Sequence, residues 1–119
     1  MTECLICKKQ LSISSLSCES CHTTYTSTFH FPRLARLSKE EQKLAEALII
    51  HGGNLKTMAE TIDMSYPTLK KRLNELSASL QKKKKEDDRK IEDILYAVES
   101  KEVSAEEGIK LIREINGEI

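Results

Sequence analysis

All four cysteines of this chain fall within its first twenty-one residues, as two C-x2-C pairs, Cys4/Cys7 and Cys18/Cys21, with ten residues between them. That spacing constrains the fold more than any other feature. A segment as short as residues 1–37 cannot hold itself together by burial, so it needs a cross-link or a metal. In a reducing compartment four thiols at this spacing point to a metal rather than to disulfides. A C-x2-C turn aims two thiolates at one point, and two such turns reach the corners of a tetrahedron, the closed arrangement of a structural Zn2+ site. We therefore read residues 1–37 as a zinc ribbon with Cys4, Cys7, Cys18 and Cys21 as ligands, the metal supplying folding energy on the order of 10 kcal/mol or more.

Between the pairs, Lys8 to Ser17 carries Leu11, Ile13 and Leu16 among small polar residues, a pattern compatible with a β-hairpin. Beyond Cys21, the residues Tyr25, Ser27, Phe29 and Phe31 alternate with Thr24, Thr26, Thr28 and His30, which predicts a third strand. That alternation puts Tyr25, Phe29 and Phe31 on one face, where they would cover the knuckles. Two other chemistries compete for the same cysteines. Cys18-Glu19-Ser20-Cys21-His22 fits the C-x-x-C-H haem attachment pattern with His22 as axial ligand, but this requires export and leaves the first pair unexplained. A redox dithiol lacks its βαβ context. His22 and His30 read most simply as surface or strand residues.

After the connector Pro32 to Leu37 the periodicity becomes helical. Ser38-Lys39-Glu40-Glu41 is a capping box. It is followed by Leu44, Ala47, Leu48 and Ile50 or His51 on one face, and Gly52-Gly53 stops the helix. His51 reads as an end residue compatible with the helix dipole. Asn54 caps a second, short helix from Leu55 to about Ile62, with Met58, Ala59 and Ile62 facing inward. Asp63-Met64-Ser65 is a turn. Ser65 caps a third helix with Pro67 in its first turn and an apolar stripe of Leu69, Leu73, Leu76 and Leu80. A short helix, a tight turn and a longer helix with small Ala59 at the crossing have helix-turn-helix geometry.

The exposed face of the third helix suits DNA. Arg and Lys reach guanine edges and phosphates, and Ser, Thr and Tyr bond backbone oxygens, when the amino-terminal part of such a helix enters the major groove. Ser65, Thr68, Lys71 and Arg72 are the first candidates, with Tyr66 and Lys70 beside them. Lys82, Lys83, Lys84 and Lys85 extend the segment as phosphate contacts, or else as a solvated face pairing with Glu86, Asp87 and Asp88. The bland reading is a plain three-helix packing unit whose basic face is solvated.

From Lys90 a helical period returns with Ile91, Ile94, Leu95 and Val98. It breaks near Ser100 to Val103 and resumes behind a second capping box, Ser104 to Glu107, with Ile109, Leu111 or Ile112 and Ile115, and Gly117 placed to end it. Residues 89–119 thus read as an acidic helical hairpin, with 82–88 as a charged linker or helix extension between it and a helix-turn-helix over 38–81. So small a hairpin should dock on something: a second copy of the chain, the central helices, or the basic segment. Charge distribution makes the last option worth asking about. The 19 basic and 19 acidic side chains cancel, yet the net charge runs +2 over 1–37, −2 over 38–64, +6 over 65–85 and −6 over 86–119. A net charge of zero therefore does not exclude a local nucleic-acid face.

Exclusions are few. The longest apolar run is Ile94 to Val98, far short of a membrane span, and the first residues lack a signal-peptide core, so we expect a cytoplasmic protein without membrane contact. No nucleophile–base pair or phosphate loop stands out, and the glycines at 52, 53, 108 and 117 make no phosphate cradle, so neither an enzyme nor a small-molecule substrate is expected.

The motifs resemble an uncharacterised bacterial family, domain of unknown function 2089, that joins a zinc ribbon to a helix-turn-helix. Carrying the resemblance are Cys4-x2-Cys7, Cys18-x2-Cys21, Phe31-Pro32-Arg33-Leu34-Ala35-Arg36-Leu37-Ser38, Gly53-Asn54-Leu55-Lys56 through Ser65-Tyr66-Pro67-Thr68-Leu69, and Arg72-Leu73. It covers Met1 to about Leu80. The stretch from Gly53 to Leu69 is also similar to the helix-turn-helix of nucleoid proteins and enhancer activators, and 89–115 to helical hairpins that mediate association. Lys8 and His22 stand where such ribbons usually place glycine after the second cysteine of each knuckle, and Asp63 where the turn usually holds glycine. Asp visits the left-handed region readily enough to keep the turn. The resemblance implies a DNA-binding regulator with a structural zinc. The expected fold is mostly α with a small β zinc ribbon, then a three-helix helix-turn-helix and a helical hairpin. The expected function is transcriptional regulation on double-stranded DNA, with association through 89–119. The alternative is a protein-interaction adaptor whose ribbon and hairpin bind partners without DNA.

Overall fold

At the amino-terminal end the backbone turns twice in the same way. In the computed structural model, which describes residues 2–116, the Lys8 N–H donates to the Cys4 carbonyl at 2.9 Å and the His22 N–H to the Cys18 carbonyl at 2.8 Å. Lys8 and His22 both lie at φ 62°, so two residues with a Cβ occupy the left-handed positions that glycine would take more cheaply. Each knuckle closes its own strand pair: Glu3 bridges Gln10 across the first, and Ser17 pairs with Thr24 across the second.

This corrects the strand arrangement expected from the pattern. The segment between the cysteine pairs is not a hairpin of its own. It supplies one strand, β1 (Ile13–Ser17), which runs antiparallel to β2 (Thr24–Phe29) in a two-stranded sheet. The second knuckle is itself the turn between them. A second correction concerns the aromatic face. Ser15 pairs with Thr26 but Ile13 with Phe29, so β2 holds one residue more than β1 and bulges. An extra residue reverses which face the side chains beyond it take. Ile13 and Phe29 therefore share the half-buried face, whereas Leu16 and Tyr25 share the other, where Tyr25 is 62% exposed.

A 3-10 turn (Arg33–Arg36) leads through buried Leu37 to α1 (Lys39–Ile50). Both halves of the Ser38 capping box form: the Glu41 N–H donates to Ser38 Oγ at 3.2 Å and the Ser38 N–H to Glu41 Oε1 at 3.1 Å. The Gln42 amide donates to the Ala35 and Leu37 carbonyls, tying the 3-10 turn to α1. Gly52 and Gly53, at φ 60° and 81°, end the helix. Asn54 Oδ1 accepts the Thr57 N–H and starts α2 (Leu55–Thr61). The core of the molecule sits here. Met58, Ala59 and Leu69 are buried, with Leu44, Ala47, Leu48, Leu55, Ile62, Met64 and Leu73 packed around them. Ile50 is exposed, while His51 turns back to the Ala47 carbonyl and the Thr61 hydroxyl.

The third helix is the main departure from expectation. α3 runs unbroken from Tyr66 to Glu99, 34 residues, or about 51 Å at 1.5 Å per residue. Residues 82–88 are therefore helix, and no separate helix begins at Lys90. Lys82 to Glu86 are good helix formers, and the poorer former Asp87 is held by tertiary partners. This residue is 1% exposed, and its carboxylate accepts from Arg33 Nε at 3.1 Å and from Arg36. The chain then reverses through Lys101, at φ 62°, into α4 (Ala105–Ile115), where Ser104 Oγ accepts the Glu107 N–H. The stop expected at Gly117 lies outside the described residues.

The hairpin docks within the molecule. Buried Gly108 lets α4 approach α3 so closely that a Cβ there would lie 2.5 Å from Val98 Cγ2. On its other side α4 meets the sheet: Phe29 lies beside Ile109 and Arg113, and His30 Nε2 is 3.3 Å from Glu114 Oε2. Among the described residues no helix is long and apolar enough to cross a membrane.

Candidate nucleic-acid interface and cysteine knuckles

The turn between α2 and α3 is built from the residues that the sequence marked for it. Asp63 sits at φ 53°, in the left-handed region that Asp tolerates better than most residues. The Met64 N–H donates back to the Ala59 carbonyl at 3.0 Å. Ser65 Oγ accepts the Thr68 N–H and donates to Thr68 Oγ1 at 2.7 Å. With Leu69 fully buried against Met58 and Ala59, the direction of every other side chain in the first turns of α3 follows from the helical period.

That period divides the candidate residues into three directions. Lys70 and Lys71 lie with Pro67, Asn74 and Ala78 on the open outer face of α3, which Glu75 borders. Thr68 and Arg72 line a cleft against α1 together with Glu40, Glu41 and Glu75, and Lys71 borders it. Tyr66 and Ser65 border a depression against α2 beside Lys56 and Glu60. The outer face is the one a duplex can approach without displacing a helix. Asn74 belongs to it and the sequence reading passed it over. Its position three residues after Lys71 and four after Lys70 was the available signal, and Asn can bond an adenine edge in two places.

The four consecutive lysines are set apart from this face. Lys82 lies about 24 Å along α3 from Tyr66, well beyond the depth of about 8.5 Å of a major groove. Four consecutive helical positions also point four ways. Lys82, Lys84 and Lys85 are exposed, whereas Lys83 is half-buried in a cleft with Glu41, Gln42 and Arg36. Burial pushes the Glu41 carboxyl up, but the Ser38 amide, the Ser79 and Ser38 hydroxyls and the Lys83 ammonium outweigh it and hold the group below its ordinary value.

The cysteines stand as two close pairs of free thiols. In the first knuckle the Cys7 and Ile6 amides lower the Cys4 thiol, the Ile6 N–H lying 3.4 Å from its sulfur. In the second, the Thr23 hydroxyl, 3.1 Å from Cys21 Sγ, and the Thr23 amide lower the Cys21 thiol. Amides aimed at sulfur favour thiolate, the form that binds metal. Each knuckle thus fits half of a tetrahedral site. The two halves are not drawn together here: among the described residues no group of three or more Cys, His, Asp or Glu side chains could hold an ion.

The buried carboxylate with two arginines carried no role in the sequence reading, although Arg33 and Arg36 stood in one of its family motifs. Their i,i+3 spacing aims both side chains at Asp87 from one face of the 3-10 turn. They fasten the ribbon's exit to the middle of α3.

No curated protein and no solved structure matches the chain. Residues 37–83, from the end of the 3-10 turn through the first half of α3, match the family model described as domain of unknown function (DUF2089)-HTH, the family that the sequence motifs resemble.

Proposed function

We propose that this protein is a DNA-binding transcriptional regulator of the cytoplasm, in which the amino-terminal turns of α3 enter the major groove of double-stranded DNA. The carrying observation is the α2–turn–α3 unit. Its core is fixed by Met58, Ala59 and Leu69, and it presents Lys70, Lys71 and Asn74 on a face that no other described element covers. In that approach Lys70 and Lys71 bond guanine edges or phosphates and Asn74 an adenine edge. Ser65, Tyr66, Thr68 and Arg72 at the margins contact phosphates. Lys82, Lys84 and Lys85 add a sequence-independent attraction that salt screens. A Zn2+ ion bound by Cys4, Cys7, Cys18 and Cys21 would cross-link the two knuckles. The amides of Ile6 and Cys7 and the Thr23 hydroxyl would hold the Cys4 and Cys21 sulfurs as thiolates.

One observation favours a partner-binding role for the ribbon as well. Leu5, Ile6, Leu16 and Tyr25 are all exposed on it. A ribbon that only braced α3 would have no need of so apolar a surface.

Binding to mixed genomic fragments over a salt series tests the proposal, with wild type set against Lys70→Glu/Lys71→Glu. A DNA reader shows a steep fall of affinity with salt, and the variant binds at least tenfold more weakly. Equal, negligible binding by both proteins refutes it.

A further inference from the structure

One face of α3 is bare from end to end. Pro67, Lys71, Asn74, Ala78 and Gln81 in its first half, and Lys85, Asp88, Glu92, Leu95 and Glu99 in its second, follow each other at alternating steps of four and three residues, and every one is exposed. Such spacing makes a seam that drifts only about 20° per heptad around the helix, the spacing by which two long helices pair when they coil slightly about each other. No other described element covers it. The 3-10 turn holds α3 at Asp87, on another face. α4 spans 11 residues, about 16 Å, and lies against Ile94 and Val98, about 24 Å from Ala78.

Charge order along the seam selects the occupant. As far as Lys85 the seam and its neighbours carry Lys70, Lys71, Lys82 and Lys85 against Glu75; beyond it they carry Asp88, Glu92, Asp93 and Glu99 with Arg89. A second copy laid parallel would set like charges together. A copy laid antiparallel sets the basic half of each helix on the acidic half of the other.

We propose that α3 pairs antiparallel with α3 of a second copy along this seam, so that the acidic half of each helix lies on the basic half of the other and its end abuts the DNA-reading face at Asn74. With the two-fold axis between Glu86 and Asp87, Lys85 meets Asp88 of the other chain twice, Gln81 meets Glu92, and Asn74 meets Glu99. The large exposed Leu95 meets the small Ala78. Lys70 and Lys71 then lie about one helical turn from Glu99 of the other chain, so its helix end crowds the DNA-reading face and pairing competes with DNA binding. The masking rests on the DNA reading proposed above, whereas the pairing does not. Within one chain α4 is seated at Ile94 and Val98, far along α3 from Lys70 and Lys71; between two chains the acidic half of α3 comes to the basic half. A seam this polar associates through charge and dissociates as salt rises.

The test is sedimentation of the full chain, metal-loaded, at about 0.1 M and about 1 M salt, where the screening length falls from about 10 Å to about 3 Å. Wild type is expected at twice the 13.5 kDa of one chain in low salt and as single chains in high salt. Two charge-reversed variants, Asp88→Lys/Glu92→Lys and Lys82→Glu/Lys85→Glu, should each be single chains alone and pair when mixed. Circular dichroism with unchanged helix content shows that both fold, the altered positions being exposed. Single chains of wild type in low salt overturn the proposal, as does persistence of either variant as a homodimer. Added duplex DNA should convert wild-type dimers into complexes of single chains; intact dimers on DNA overturn the masking. Pairing as described with no DNA binding by any of the proteins upholds the seam and refutes the DNA reading instead.

Discussion

The helix-turn-helix and the ribbon are held together by different means. In the first, three helices converge on side chains with no solvent exposure, Met58 and Leu69. In the second, no residue from 2 to 36 is buried, and order comes from two knuckle turns, one bulged pair of strands, and the attachments to α4 and Asp87. Apolar burial stabilises by about 25 cal/mol per Å2 removed from water, so a module that buries so little depends on cross-links. The comparison teaches where each perturbation should be felt.

Removing the metal should open the widest gap between the two regions. If Zn2+ ties the knuckles, chelation removes on the order of 10 kcal/mol from the ribbon. Amide resonances of residues 4–29 should collapse toward random-coil positions while the Met58 and Leu69 methyls stay dispersed; an unchanged ribbon spectrum would break the account of it. The joint between the regions comes next. Asp87→Ala leaves the Arg33 and Arg36 guanidinium groups without their buried partner and should lower unfolding free energy by about 3–5 kcal/mol. Urea titration of this variant measures that, and a loss under about 1 kcal/mol would show the joint to be dispensable. Within the helical core, Leu69→Ala should cost about 2–5 kcal/mol by leaving a cavity beside Met58, and the ribbon resonances should report it only weakly.

Smaller effects sharpen the same division. Ser65→Ala removes the α3 cap and should cost about 1 kcal/mol, read as a lower urea midpoint with unchanged slope. Glu41 supplies the pH dependence. Its folded pKa lies below its ordinary value of 4.5, so its stabilisation is fully present above that value and is lost as pH falls through the lowered folded value. Stability of wild type should therefore drop more than that of Glu41→Gln as pH is taken from about 6 to about 3.5. Equal slopes would show that the carboxylate contributes nothing.

Much of this division was legible in the residues. Capping side chains at Ser38, Asn54, Ser65 and Ser104 mark the four helix starts, because a cap is a local hydrogen bond between neighbours in sequence. The left-handed turns at Lys8, His22 and Asp63 follow from motif spacing for the same reason. Illegible were the features set by distant partners. The bulge in β2 depends on register against β1, so strict alternation wrongly joined Tyr25 to Phe29. A buried Asp87 looks like one acid in a charged run until Arg33 and Arg36 are brought to it across the fold. The continuity of α3 was hidden because a run of lysines and acids reads equally as linker or as helix, and only the tertiary hold on Asp87 decides. Among the proposed DNA contacts the residue types were legible, but which of them share a face was not.

The most direct measurement is an amide chemical-shift titration of the metal-loaded chain with duplex DNA, at a salt concentration where binding is in fast exchange. Shifts concentrated at Ser65 to Asn74, with smaller ones at Lys82, Lys84 and Lys85 and along Asp88 to Glu99 where paired helices part, and none across β1, β2 and α4, are the result expected if α3 reads DNA. Shifts confined to the ribbon, or none at stoichiometric excess of DNA, would contradict the central claim.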